Sequence, residues 1–397
     1  MKRSVCLIFA LILTLNCGGC AWMEGSYQSI RPHQVGYSRE DGDMDVIGSY
    51  SELRTAVTAM IDAGTEETVF NLYDYPEEEL RRDMESLIRY ARDIYPVGAW
   101  AVSEITYEYG QYLLSVQIEY RRGKADIDRI YTVRGISGAK NAIDAALTGC
   151  ENSLVLQITG YKDTDFIQYV EDFAGLNPQK VMERPQITVQ TYPDSGTVRI
   201  VELQFTYQTS RESLRDMQNQ VWPVFSSAEL YVASDADTVT KLGQLYSFLM
   251  ERFDYTVQTS ITPSYSLLIH GVGDSRAFAQ VYAAMCRQIG IEAMTVSGTR
   301  DGESRFWNIV RKGDVYFHVD LLECARLGYF QEWSDDQMGN YVWDYSAYPA
   351  CGVDLTGETQ PTVPSPTEET KPVHTGTEPS EGMVEPPWEP SESFEKF

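Results

Sequence analysis

The stretch GVGDSRAFAQVYAAMCRQIGI, Gly271 to Ile291, decides the fold. A glycine-broken turn feeds an apolar helix, the arrangement an enzyme uses to present a nucleophile at a helix start. Ser275 occupies the presenting position. Three roles are open to it: a working nucleophile, the replacement of a nucleophile, or a helix cap. Ser275 or Asp274 caps the free N–H groups of the helix, and capping is the main role expected of Ser275.

Outward from this stretch the pattern is that of a helix–sheet core. Upstream, SDADTVTKLGQLYSFLMERFDY (234–255) reads as a helix with Ser234 as its cap and Asp237 at its third position. Val239, Leu242, Leu245 and Leu249 fall on one face. Downstream, AMTVSG, SRFWNIVRK and DVYFHVDLL read as three strands.

A long helix started by a special loop and followed by antiparallel strands resembles the transglutaminase-like core, a relative of papain-type cysteine proteases. The resemblance runs from about Ser234 to Cys351 and is carried by SYSLLIHGVGDSRAFAQVYAAMCRQIGIEAMTVSG, RFWN, YFHVD and YFQEWSDDQMGNYVWDYSAYPAC. It implies a cysteine at the helix start that attacks an acyl carbonyl, a histidine on the next strand that takes its proton, and an aspartate on the following strand that orients the imidazole. Matched residue by residue, the cysteine position holds Ser275, the histidine of the H-x-W-N pattern is Arg305, and the aspartate is Asp320. Only the aspartate is kept. The flanking Gly273, Trp307, Asn308 and Asp320 hold the register.

A serine hydroxyl needs a general base, and arginine stays protonated in proteins. Arg305 is expected to pair with Asp320 across adjacent strands, which leaves no proton acceptor and makes the triad position inert. Trp307 is expected to pack in the core. An alternative base for Ser275 is His318, on the same strand face as Asp320, or His270, just before the glycine turn.

Cys286 lies eleven residues, about three turns, beyond Ser275. It is expected in the core, as is Cys150. Cys324 and Cys351 are the candidate disulfide of an oxidising compartment. No spacing indicates a metal or cofactor site.

The preceding region carries an internal duplication. SELRTAVTAMID and GAKNAIDAALTG share a helical pattern, Leu53, Val57, Met60 and Ile61 answering to Ala139, Ile143, Ala146 and Leu147. VFNLYDY is echoed by VLQITGY as a strand, PEEELRRDMESLIRYARDIY by DTDFIQYVEDFAGL as a helix, and each copy ends in a strand pair. The unit is helix, strand, helix, hairpin. Tyr75, Tyr95, Tyr107 and Tyr109 read as sheet packing.

At the amino terminus, Lys2 and Arg3 precede an apolar run from Val5 to Leu15, the length of a signal-peptide core. LNCGGC follows, and Gly18, Gly19 and Cys20 resemble the lipobox of bacterial lipoproteins. The resemblance implies cleavage before Cys20 and a lipid anchor on that cysteine, on the extracytoplasmic face of the cell membrane. From about residue 355 the chain turns to Pro, Thr, Ser and Glu, too poor in apolar surface to fold. The formal charge of −26 excludes a nucleic-acid partner, which needs clustered Lys and Arg.

The expected organisation is α+β. It comprises a signal peptide at 1–20, a linker at 21–45, repeats at 46–125 and 136–212, a transglutaminase-like domain at 234–354, and an acidic tail at 355–397. Two functions fit. One is a membrane-anchored lipoprotein whose core has lost catalysis and binds a protein or cell-wall ligand. The other is an acyl transferase or hydrolase using Ser275 with His318 or His270.

Overall fold

The computed structural model describes residues 46–73 and 75–352. The signal segment with Cys20, the linker and the acidic tail lie outside the described residues. The first module begins with α1 (Tyr50–Ala63), capped where the Ser49 hydroxyl accepts the Glu52 N–H and ended by Gly64 in the left-handed region. It buries Leu53, Val57, Met60 and Ile61, the residues its periodicity selects. Then come β1 (Glu67–Asn71), α2 (Glu77–Asp93), α3 (Pro96–Ala101), β2 (Val102–Gly110) and β3 (Leu113–Tyr120). Three glutamates fill the first turn of α2, where the helix dipole favours negative charge. The sheet order is β1-β3-β2, antiparallel throughout.

A short α4 (Lys124–Ile127) leads to β4 (Tyr131–Arg134), α5 (Gly135–Thr148), β5 (Ser153–Thr159), α6 (Phe166–Leu176), β6 (Gln186–Tyr192) and β7 (Val198–Thr206). The order β4-β5-β7-β6 repeats that of the first module in its last three strands. β4 runs parallel to β5. Its counterpart in the first module is a single parallel bridge between Val46 and Asn71. This added strand stands ahead of the helix at 135–148, and four residues are too few to show a period of their own. The modules meet where Trp100, fully buried, donates to the buried Glu202 carboxylate at 2.9 Å, which Arg122 also reaches at 3.3 Å.

Helix α7 (Arg211–Tyr231) carries Pro223 within it and buries Leu214, Val221, Phe225 and Ala228. Helix α8 (Thr238–Met250) is capped by Asp237, whose carboxylate accepts the Thr240 N–H at 2.9 Å. Ser234 therefore is not the cap, and Val239 is exposed. The core continues with β8 (Asp254–Tyr255), α9 (Pro263–His270), β9 (Val272–Gly273), α10 (Ser275–Gln288), β10 (Ala293–Arg300), β11 (Glu303–Lys312), β12 (Val315–Val319), α11 (Leu321–Leu327) and β13 (Tyr341–Trp343).

The antiparallel sheet β12-β11-β10-β13 has two apolar faces. Ala293, Val310 and Val319 join α10 in one core. Val296, Trp307 and Ile309 face Met338, Tyr341, Trp343 and Cys351 in another. At Gly298 a Cβ would stand 2.3 Å from the Val342 carbonyl oxygen and 2.7 Å from the Trp307 ring, so only glycine fits this strand position.

Candidate active site

Asp274 is the N-cap of α10, its carboxylate accepting the Ala277 N–H at 2.8 Å. Ser275 is the first helical residue, which corrects the expectation that capping is its main role. The Asx side chain one residue earlier reaches the orphan N–H groups, so the serine is free to point elsewhere. It points at β11, where its buried oxygen accepts the Phe306 N–H at 3.3 Å. The space enclosed by Ser275, Phe278, Phe306, Asn308, Asp320 and Leu322 has no room for a water molecule.

Arg305 and Asp320 form a two-pronged pair: Nε donates to Oδ2 and an Nη to Oδ1, each at 2.8 Å. Asp320 is 1% exposed. It also caps α11, with Oδ1 accepting the Leu322 N–H at 3.0 Å and the Glu323 N–H at 3.2 Å. The Tyr341 hydroxyl donates to Oδ2 at 2.9 Å. Five donors thus saturate one buried carboxylate, which is what a charge out of water requires. Burial works against the Arg305 charge, yet the hydrogen bonds it donates to Asp320, together with that carboxylate's charge, outweigh it and hold the guanidinium pKa above its usual value. Burial and then Asp320 push the Tyr341 hydroxyl up as well, so it remains a donor. No group in this constellation can take a proton from Ser275 at neutral pH.

Neither alternative histidine replaces the missing base. His318 is fully buried, and the indole of Trp307 donates to its Nδ1 at 3.0 Å. Indole is a donor only, so Nδ1 is the bare nitrogen and Nε2 carries the proton, given to Asp335 at 2.9 Å. Both ring nitrogens are engaged away from Ser275. The same tautomer decides against a metal at His318, Asp335 and Cys351, whose ligand atoms lie within 4.8 Å of one another. A metal would need the Nε2 lone pair, and the proton moved to Nδ1 would face the Trp307 N–H. His270 is exposed at the end of α9, its ring edge-on to Tyr265 at 5.0 Å. Ser275 has no histidine among its hydrogen-bond partners in the described residues.

Burial lowers the His318 pKa, and Asp335 only partly opposes this. The folded protein therefore keeps His318 neutral at a pH where the unfolded chain, near 6.5, takes up a proton. Stability present above that pH is lost as the pH falls below it, and the loss levels off once the folded imidazole protonates too. Midpoints in urea from pH 7.5 to 5 should fall more steeply for the parent than for His318→Gln. Equal slopes would contradict the neutral, buried assignment.

The four cysteines among the described residues are separate buried thiols, so the candidate Cys324–Cys351 bridge is not formed. Cys324 is buried on α11, its Sγ beside the Gln331 backbone, while Cys351 belongs to the core of Val296, Trp307 and Ile309. Burial pushes each of these two thiols up to about 12.

Sequence reasoning missed Tyr341 and Asp335. No spacing points to Tyr341, which reaches Asp320 only because β13 pairs with β10. Asp335 had a signal: Ser334 and Gln337 form a capping box that fixes the turn presenting it.

Residues 227–343 match the family model described as the transglutaminase-like superfamily. No curated protein matches the chain. Among solved structures, one described as a TGase is similar at 11% identity over 53% of this chain and 64% of its own, with a TM-score of 0.25. A candidate cysteine protease from Cytophaga hutchinsonii shares 16% identity over 37% of this chain and 65% of its own, with a TM-score of 0.23. A candidate protease from Parabacteroides distasonis shares 9% over 43% of each chain, with a TM-score of 0.20. The chain thus spans less than two thirds of the length of each of these structures.

Proposed function

We propose that this chain, with its transglutaminase-like core at 227–343, is a non-catalytic binding module, held by a lipid on Cys20 at the extracytoplasmic face of a bacterial membrane. The observation that carries the loss of catalysis is the fork between Arg305 and Asp320. It converts the position of the family's base into a buried structural cation and leaves Ser275 with a backbone N–H instead of a proton acceptor. The burial of Ser275 supports the same reading, since its hydroxyl sits in a space with no room for a water molecule. The anchoring rests on the Gly18, Gly19, Cys20 sequence behind its apolar run, and the ligand class is a protein or cell-wall component.

Both halves of the proposal can be read in one fractionation. The full-length protein should sediment with membranes, and Cys20→Ala should release it. Those membranes should carry no hydrolysis of p-nitrophenyl acetate that Ser275→Ala removes. A Ser275-dependent rate would establish the enzyme reading with an unconventional base, and membrane retention of Cys20→Ala would end the lipoprotein reading.

A further inference from the structure

A cavity of about 300 Å³ opens where the second module meets the C-terminal core, at the low end of the sizes that hold small molecules. Its walls include Val181, Met182 and Ile261 on the apolar side and Arg184, Arg276 and Gln280 on the polar side. Arg276 is the second residue of α10, and Gln280 lies one turn further on the same face.

Arg276 is an unusual cation. Its Nε is buried with no hydrogen-bond partner, and among the described residues no carboxylate forms an ion pair with its guanidinium. The Phe306 ring lies 5.8 Å from its guanidinium carbon. Arg184 has one distant partner, Glu171, at 3.5 Å. The Glu183 carboxylate also reaches the cavity wall, but its oxygens are taken by the N–H groups of Gln208 and Thr209. The Gln280 amide makes no hydrogen bond among the described residues. A guanidinium with a buried, unpartnered Nε and no ion pair is costly unless something else supplies the acceptors, and the charges of Asp274 and Glu171 offset burial only in part. Burial, followed by the charge of Arg184, pulls the Arg276 pKa below its usual value, the direction an added anion would reverse.

We propose that this cavity binds a small monocarboxylate, with the carboxylate on the Arg276 guanidinium and Gln280 and a short apolar body against Val181, Met182 and Ile261. A planar guanidinium matches a carboxylate edge to edge. A single negative charge suits the site better than a doubly charged phosphate, because Glu183 and Glu171 stand near the two arginines. This goes beyond the loss of catalysis and does not depend on it, since Ser275 faces β11 and is not among the residues that line the cavity.

The test uses the full-length chain with N-acetyl-L-alanine as probe, its neutral amide as control, and inorganic phosphate as competitor class, read by calorimetry and thermal denaturation. The acid should bind, and the amide should bind at least tenfold more weakly. Arg276→Gln should weaken the acid at least tenfold, Arg276→Lys should retain part of the affinity, and Ser275→Ala should change nothing. Without ligand, Arg276→Gln should be no less stable than the parent, since the guanidinium has no ion pair to lose. Equal binding of acid and amide, tighter binding of phosphate, absence of binding by all three, or an Arg276→Gln protein that binds unchanged would each overturn the proposal.

Discussion

Asp320→Ala is expected to lower the unfolding free energy by about 3–5 kcal/mol, the usual range for stripping one partner from a buried ion pair. The size follows from what the carboxylate holds. Its loss leaves the Arg305 guanidinium without its fork, exposes the first N–H groups of α11 to an uncapped end, and removes the acceptor of the buried Tyr341 hydroxyl. Arg305→Met should cost less than half as much, because Asp320 then keeps two backbone N–H groups and Tyr341. Urea denaturation compares the two. Arg305→Met as costly as Asp320→Ala would show that the arginine, not the carboxylate, is the centre of this network.

Trp307→Ala should be of similar size, about 3–5 kcal/mol for removing a large core aromatic. Trp307 is 1% exposed and packs edge-on against Tyr341 at 5.1 Å and Trp343 at 5.8 Å. Its ring also covers Gly298. Part of the cost is polar, because His318 Nδ1 would lose the indole N–H that donates to it. Trp307→Phe keeps most of the volume and should isolate that part, about 1–3 kcal/mol for a buried acceptor left unpaired. Urea midpoints of the two variants separate the terms, and a Trp307→Phe protein as stable as the parent would show that the indole N–H is dispensable.

Much of this was legible in the sequence where one element carries one period. Leu53, Val57, Met60 and Ile61 mark a helix face and are buried as such. Ala139, Ile143, Ala146 and Leu147 repeat the face in the second copy. The three strands after α10 were readable from their β-branched and aromatic runs, although Leu321 and Leu322 belong to α11, because Asp320 ends the strand by capping the next helix. The positions of Ser275, Arg305 and Asp320 came from a motif whose register is held by neighbours on the same elements.

The network around those positions was less accessible. Tyr341 comes to Asp320 because its strand pairs with β10, where it stands opposite Arg300, and no local pattern encodes such a distant pairing. The capping of α10 turned on a single residue, Asp274 against Ser275, which composition cannot separate. Cys324 and Cys351 looked like a pair because both follow Asp320, yet each is a separate buried thiol, the first facing the Gln331 backbone and the second the Pro349 carbonyl. Arg276 drew no notice in the sequence because it is distinguished by a missing partner, and absence of a partner is visible only once the second module is folded against α10.

The most direct test of the account is the coupling energy between Arg305 and Asp320, from a double-mutant cycle of Arg305→Met, Asp320→Asn and the double variant in urea. Asparagine keeps the capping oxygen for α11, so the cycle reports the pair itself. A structural cation locked at the family's base position predicts coupling of at least about 1.5 kcal/mol, the lower end for close, desolvated charge pairs. Coupling near zero would mean that Arg305 is not committed to Asp320, that the carboxylate is available to another group, and that the argument for an inert site fails.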